Sequence, residues 1–133
     1  MNALVVYESM FGNTRLIAEA VVDGLAAAHL TVTSVEVAAA PSFVPGDVGL
    51  LVVGGPTHAF GMSRPGTRRS AADQADQPLV STGSGVREWL AALPRGRAGL
   101  AAAAFDTRIN KPRLPGSAAR AVRRRLRRLG FTL

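Results

Sequence analysis

Two short, unbroken apolar runs limit what this chain can fold into more than any other feature: "ALVVY" (Ala3–Tyr7) and "GLLVVGG" (Gly49–Gly55). Each is too short for an ordinary helix and shows no polar alternation, so both read as strands buried on two faces. Such strands need a helical layer on each side of the sheet. The chain supplies helices in alternation. Arg15–Leu30 has helical spacing, with Ile17, Val21, Leu25 and Ala28 on one stripe. Thr31–Val37, "TVTSVEV", is β-branched with polar interruptions, as an edge strand is. Pro41–Gly46 breaks the pattern. Val86–Leu93 is a short helix that brings Val86, Trp89, Leu90 and Leu93 together. Ala98–Asp106, "AGLAAAAFD", favours helix by its alanines alone. Its place between two helices, bracketed by Gly99 and Asp106, assigns it to a strand. Ser117–Leu129 is the last helix, N-capped by Ser117 and stopped by Gly130. Ala118, Val122, Leu126 and Leu129 form its buried stripe. "FTL" then begins a strand.

This order predicts an α/β fold, a three-layer doubly wound parallel sheet, in a single domain over residues 1–133. Residues 61–85 are too long and too polar for a plain connection. They read as an insertion with a short helix around Thr67–Gln74.

With no cysteine in the chain, disulfides, thiolate metal sites and cysteine nucleophiles are excluded. No His/Asp/Glu cluster has ligand spacing, so no metal is expected. The start, "MNALVVYES", lacks a basic n-region, and no window is long and apolar enough to span a bilayer. A cytoplasmic protein with no membrane association is expected. The net charge of +7 is concentrated at one end. Residues 1–105 carry seven basic and eight acidic side chains, whereas 106–133 carry nine basic ones against Asp106 alone.

In doubly wound sheets ligands bind beyond the carboxyl ends of the strands, where strand order reverses. Three loops leave such ends: Glu8–Thr14, Pro56–Gly61 and Asp106–Asn110. The first, "ESMFGNT", is either a capped turn or a cradle for an anionic group. "GGPTHAFG" and "FDTRI" hold the polar and aromatic residues of the other two.

The first loop resembles the phosphate loop of the flavodoxin family, Thr/Ser-x-Thr/Ser-Gly-x-Thr. Ser9, Gly12, Asn13 and Thr14 match, with Met10 between them and Phe11 in place of a hydroxyl residue. The second is similar to the flavodoxin loop Gly-x-Pro-Thr-aromatic and brings Pro56, Thr57, His58, Ala59, Phe60 and Gly61. The third, with Asp106, Thr107 and Arg108, occupies the place of the loop on the other face of the flavin. The resemblance spans essentially the whole chain. It implies strand order 2-1-3-4-5 and FMN as cofactor; FMN between the first and third strands is the known instance of the switch-point rule in flavodoxin itself. It further implies that the phosphate meets the helix amides and the Ser9 and Thr14 hydroxyls. Gly12 would admit close backbone approach and Asn13 tolerate positive φ. His58, Phe60 and Met62 would wall the ring, Gly54 and Gly55 would let the loop leave its strand unobstructed, Arg108 would stack on the ring or bond it, and Asp106 would orient Arg108 or accept a bond from the flavin.

The implied function is an FMN-binding electron carrier, with no catalytic residues of its own. A flavodoxin-fold NAD(P)H-dependent quinone or FMN reductase is the alternative within the family. Anion or nucleic-acid binding through Arg120, Arg123, Arg124, Arg127 and Arg128 is the alternative outside it, but no aromatics interleave with these arginines to stack bases, so no nucleic-acid partner is expected. Flavodoxins are usually acidic. Here Arg64, Arg68, Arg69 and Arg108 lie on or near the presumed flavin-facing loops. They predict a higher flavin potential and a redox partner with an acidic docking surface. Family members continue past the fifth strand into a final helix. "GFTL" ends at the start of that strand, so a partial fifth strand, an apolar patch on one sheet face and a homodimer over it are expected.

Overall fold

The computed structural model describes residues 1–109 and 115–133; of the third loop, Asn110 lies outside the described residues. Strand β1 (Asn2–Tyr7) leads into helix α1 (Asn13–Ala27), strand β2 (Thr31–Glu36) and a 3₁₀ turn (Val37–Ala39). Strand β3 (Val48–Pro56), helices α2 (Pro65–Gln74) and α3 (Val86–Ala92), strand β4 (Ala101–Thr107) and helix α4 (Ala118–Arg128) follow. The four strands form one parallel sheet in the order β2-β1-β3-β4. The expected fifth strand reduces to one parallel bridge, Ala101 with Thr132, held by Ala102 N–H to Thr132 O at 2.8 Å and Thr132 N–H to Leu100 O at 2.9 Å.

The strand period of two divides the core. Leu4, Val6, Leu51, Val53 and Ala102 face one way and pack with Val86, Leu90 and Leu93 of the α3 segment and Val122, Leu126 and Leu129 of the α4 segment. Val5 and Val52 face the other way and pack with Ala18 of α1. The stripe of α1 differs from the expected one. Thr14 and Ala18 are its buried residues and Val21, Val22 and Leu25 its half-buried ones, while Ile17 and Ala28 are exposed. The helix begins two residues earlier than its apolar pattern suggests, and Thr14 turns inward to a polar partner, which rotates the buried face. The alanine-rich stretch is a strand because each of its residues from Ala101 onward pairs with β3, Leu50 with Ala101 through Pro56 with Thr107.

On the α1 side of the sheet, Ala101 and Ala103 of β4 are exposed, as are Leu16 and Ile17 of the helix. No helix of the described residues is long and apolar enough to cross a membrane.

Candidate functional site

Because β1, β3 and β4 are parallel neighbours, their carboxyl ends stand side by side. The chain leaves them through Glu8, Thr57 and Arg108, so the three predicted loops meet at one edge of the sheet.

The loop after β1 is held from within and from above. The Ser9 hydroxyl accepts the Gly12 amide at 3.1 Å, and the Ser9 amide donates to Ser81 Oγ at 2.9 Å. Val80 N–H to Met10 O (3.0 Å) and Ser81 N–H to Ser9 O (2.7 Å) lay the end of the 61–85 segment along it. Ser9 and Met10 are consequently buried, whereas Phe11 and Asn13 are exposed. Phe11 opens into a cleft of about 650 Å³ whose far wall is Gln74–Val80.

Gly12 is the N-cap of α1, at φ 99°, and nothing lies within 4 Å of where its Cβ would be. Its glycine requirement is conformational: an L side chain rarely adopts that backbone. Among the described residues no side chain caps α1, and its first turn has no acidic residue. Its first amide hydrogens therefore have no partner within the helix, and they lie at the positive end of its dipole. By contrast, α3 and α4 are both capped from outside. Glu8 Oε1 accepts Val86 N–H at 2.8 Å, and Asp106 Oδ2 accepts Ala119 N–H at 3.0 Å.

Thr14, the last residue of the first loop, meets Thr107 of the third through their hydroxyls at 2.8 Å. The second and third loops are joined by Thr57 N–H to Thr107 O (2.8 Å) and by the Thr57 hydroxyl to Asp106 Oδ2 (3.3 Å). Asp106 Oδ2 also accepts the Ser117 hydroxyl, and the Thr57 hydroxyl oxygen accepts Ala118 N–H at 3.1 Å. One carboxylate oxygen thus serves the α4 N-terminus, while Oδ1 sits 3.9 Å from Arg108 Nε. Arg108 Nη1 donates to Gly116 O at 3.3 Å.

After Pro56, which ends β3, His58 and Gly61 pair both backbone groups (2.8 and 3.0 Å) across a two-residue hairpin. Ala59 and Phe60, its tip, both have positive φ, 45° and 72°. That is the type I′ pattern, normally given to Asn-Gly. A side chain at each position carries strain, and such strain gathers at functional sites. The hairpin rests on Gly116, φ 86°, where a Cβ would lie 2.1 Å from Phe60 O. Phe60 is 57% exposed. His58 Nδ1 is 3.0 Å from Thr67 Oγ1. Burial lowers the His58 pKa below its usual value; Glu8 opposes this and Arg68 adds to it.

Residues to which the sequence reading gave no role in holding the loops fasten this edge. Glu8, 1% exposed, accepts the Ser63 hydroxyl as well as Val86 N–H. Arg68 donates to Ser63 Oγ at 2.8 Å and pairs with Glu88 Oε1 at 2.6 Å. Arg68 is therefore neutralised within this network, which weakens its part in the expected positive field. Met62, a ring-wall candidate, is half-buried and packs against the main core. Gly54 is required for a different reason from the one expected: a Cβ there would lie 2.1 Å from the Phe105 ring, which covers it. Glu8 and Ser81 carry no signal in the sequence, because their partners lie 55 to 78 positions away for Glu8 and 72 for Ser81.

No family model matches the chain, and no curated protein matches it. Solved structures do. A flavodoxin from the domain Archaea is 24% identical, with a TM-score of 0.66 over 99% of this chain and 77% of its own. A short-chain flavodoxin associated with a bacterial microcompartment is 18% identical, with a TM-score of 0.63 over 99% and 78%. Oxidised flavodoxin 2 from Bacillus cereus is 21% identical, with a TM-score of 0.65 over 100% and 79%. Sheet order, parallel pairing and whole-chain superposition lead to one conclusion: this chain has the flavodoxin fold.

Proposed function

We propose that the chain binds FMN at the joined carboxyl ends of β1, β3 and β4 and serves as an electron carrier. The observation that carries this reading is the start of α1. It is a helix N-terminus that no side chain of the described residues caps, behind a left-handed glycine at the switch point of the sheet, while the neighbouring helix starts are closed by Glu8 and Asp106. A phosphate monoester dianion suits such a terminus better than any group the chain itself offers there.

The division of labour follows from the contacts. The Asn13 and Thr14 amides and the Thr14 hydroxyl hold the phosphate. Ser9, with its hydroxyl turned onto Gly12 N–H, shapes the loop. His58, Ala59 and Phe60 offer the apolar and aromatic wall, with Pro56 ending β3 before it and His58 and Gly61 closing the hairpin. Thr107, Asp106 and Arg108 form the opposite side, Asp106 mainly by fixing where Arg108 and α4 stand. FMN, when bound, supplies the redox chemistry; the chain's residues bind it, orient it and limit water.

Fluorescence titration tests the reading. FMN fluorescence is quenched on binding, and riboflavin, which lacks the phosphate, binds at least about a hundredfold more weakly, since charge-assisted bonds to the dianion contribute about 1.5–3 kcal/mol each. Equal affinity for the two removes the proposal. NAD(P)H oxidation with a quinone acceptor, at rates far above free FMN, favours the reductase over the carrier.

A further inference from the structure

We propose that the exposed arginine face of α4, with Phe60 at its edge, is the docking surface for an acidic protein that exchanges electrons with this chain. The proposal rests on the flavin reading above for the electrons, but not for the docking.

Arg120, Arg123, Arg124 and Arg127 follow the spacing i, i+3, i+4, i+7 and so share one face of the helix. All four are exposed, and they line one cleft of about 330 Å³ together with Phe60. The opposite face of α4 is fully engaged: Ala118, Val122 and Leu126 are buried in the core. Among the described residues none of these four arginines has a carboxylate partner; the ion pairs are Arg15–Glu19, Arg68–Glu88 and Arg108–Asp106. Like charges at i, i+3 and i+4 on one helix repel one another. They are tolerated on an exposed face, and the repulsion is relieved when an anionic surface meets them.

Phe60 separates a docking surface from a merely solvated helix face. A strained hairpin, with positive φ at Ala59 and Phe60, holds this phenyl group out of the core at 57% exposure beside the arginines. Aromatic and arginine side chains together are the composition of interface centres. The same hairpin belongs to the proposed ring wall, so a partner seated here stands next to the cofactor edge. A duplex is the poorer fit. The four arginines span about 10 Å along the helix, which neutralises few phosphates, and no aromatic alternates with them to stack bases.

The test uses two haem proteins as probes, acidic cytochrome b5 and basic cytochrome c. Fluorescence anisotropy of the labelled cytochromes with the flavin-free chain reads docking alone. The acidic cytochrome binds, and its affinity falls at least about tenfold between about 50 and 300 mM salt. R123E/R124E, on the exposed face and with an unchanged melting temperature, loses that affinity by about tenfold or more, and R120Q/R127Q loses part of it. With FMN loaded and reduced by dithionite, one electron passes from flavin to ferric haem to give ferrous haem, faster for the acidic cytochrome and with the same salt and mutant dependence. Equal binding of the two cytochromes, or no loss in R123E/R124E, overturns the proposal. So does a duplex of about 20 base pairs that displaces the acidic cytochrome at about 150 mM salt, which assigns the face to nucleic acid instead. If FMN does not bind at all, the anisotropy result still stands, and only the electron-carrying role falls.

Discussion

Replacing Glu8 by alanine tests whether a single buried carboxylate holds the site edge together. Glu8 is 1% exposed and accepts the Ser63 hydroxyl and Val86 N–H, the latter at 2.8 Å. Removing it leaves the first amide of α3 buried without a partner, strips Ser63 of its acceptor, and leaves Arg68 balanced by Glu88 alone. Two charge-assisted bonds and one orphaned donor correspond to about 3–5 kcal/mol. For 133 residues the unfolding entropy near the melting point is about 0.28 kcal/mol per kelvin, so the melting temperature falls by roughly 14 °C for about 4 kcal/mol. Glu8→Gln separates charge from shape. Its carbonyl still serves Val86, but its NH₂ group faces Ser63 Oγ, which already accepts from Arg68. The loss there is about 1–3 kcal/mol. Urea unfolding followed by circular dichroism measures both variants. If Glu8→Ala unfolds within about 1 kcal/mol of wild type, the carboxylate does not anchor α3 and the account of this edge is wrong.

Gly54→Ala places a methyl group in the Phe105 ring at 2.1 Å, with Tyr7 on the other flank. It destabilises by about 1–3 kcal/mol or more through overpacking, whereas Gly55→Ala, whose Cβ meets its nearest neighbour at 3.7 Å, is tolerated; a pair of thermal melts distinguishes them. Burial lowers the His58 pKa in the folded state, so the unfolded chain binds more protons as pH falls through the ordinary histidine range. Stability contributed at neutral pH is therefore lost on acidification below about 6.5, down to the folded-state value. His58→Asn flattens that part of the stability–pH curve, and an unchanged slope refutes the assignment.

The layer architecture was legible in the sequence because contiguous β-branched runs can only be covered from both sides. The identity of β4 was legible from alternation and not from propensity. Its alanines prefer helix, and only ladder pairing with β3 from Leu50 to Pro56 makes them a strand. Ser117 and Gly130 were readable as the cap and stop of α4 because capping acts within a few residues, and the structure gives Ser117 Oγ to Arg120 N–H and Gly130 a φ of 96°. The α1 stripe was misplaced because its phase depends on Thr14 reaching Thr107, 93 positions away.

The sequence by itself determined β1, β2, β3, the helices and the three loops, since each is encoded in residues close along the chain, whereas β4 is a strand only through its ladder with β3. Tertiary structure alone decided which polar groups those loops keep free. Ser9 and Asp106 are committed inward, Glu8 closes the start of α3, and the first turn of α1 stays open. The physical reason is that a hydrogen bond is short and specific in direction. Whether a hydroxyl or carboxylate is spent inside the fold or left for a ligand depends on partners that only the folded chain brings within about 3 Å.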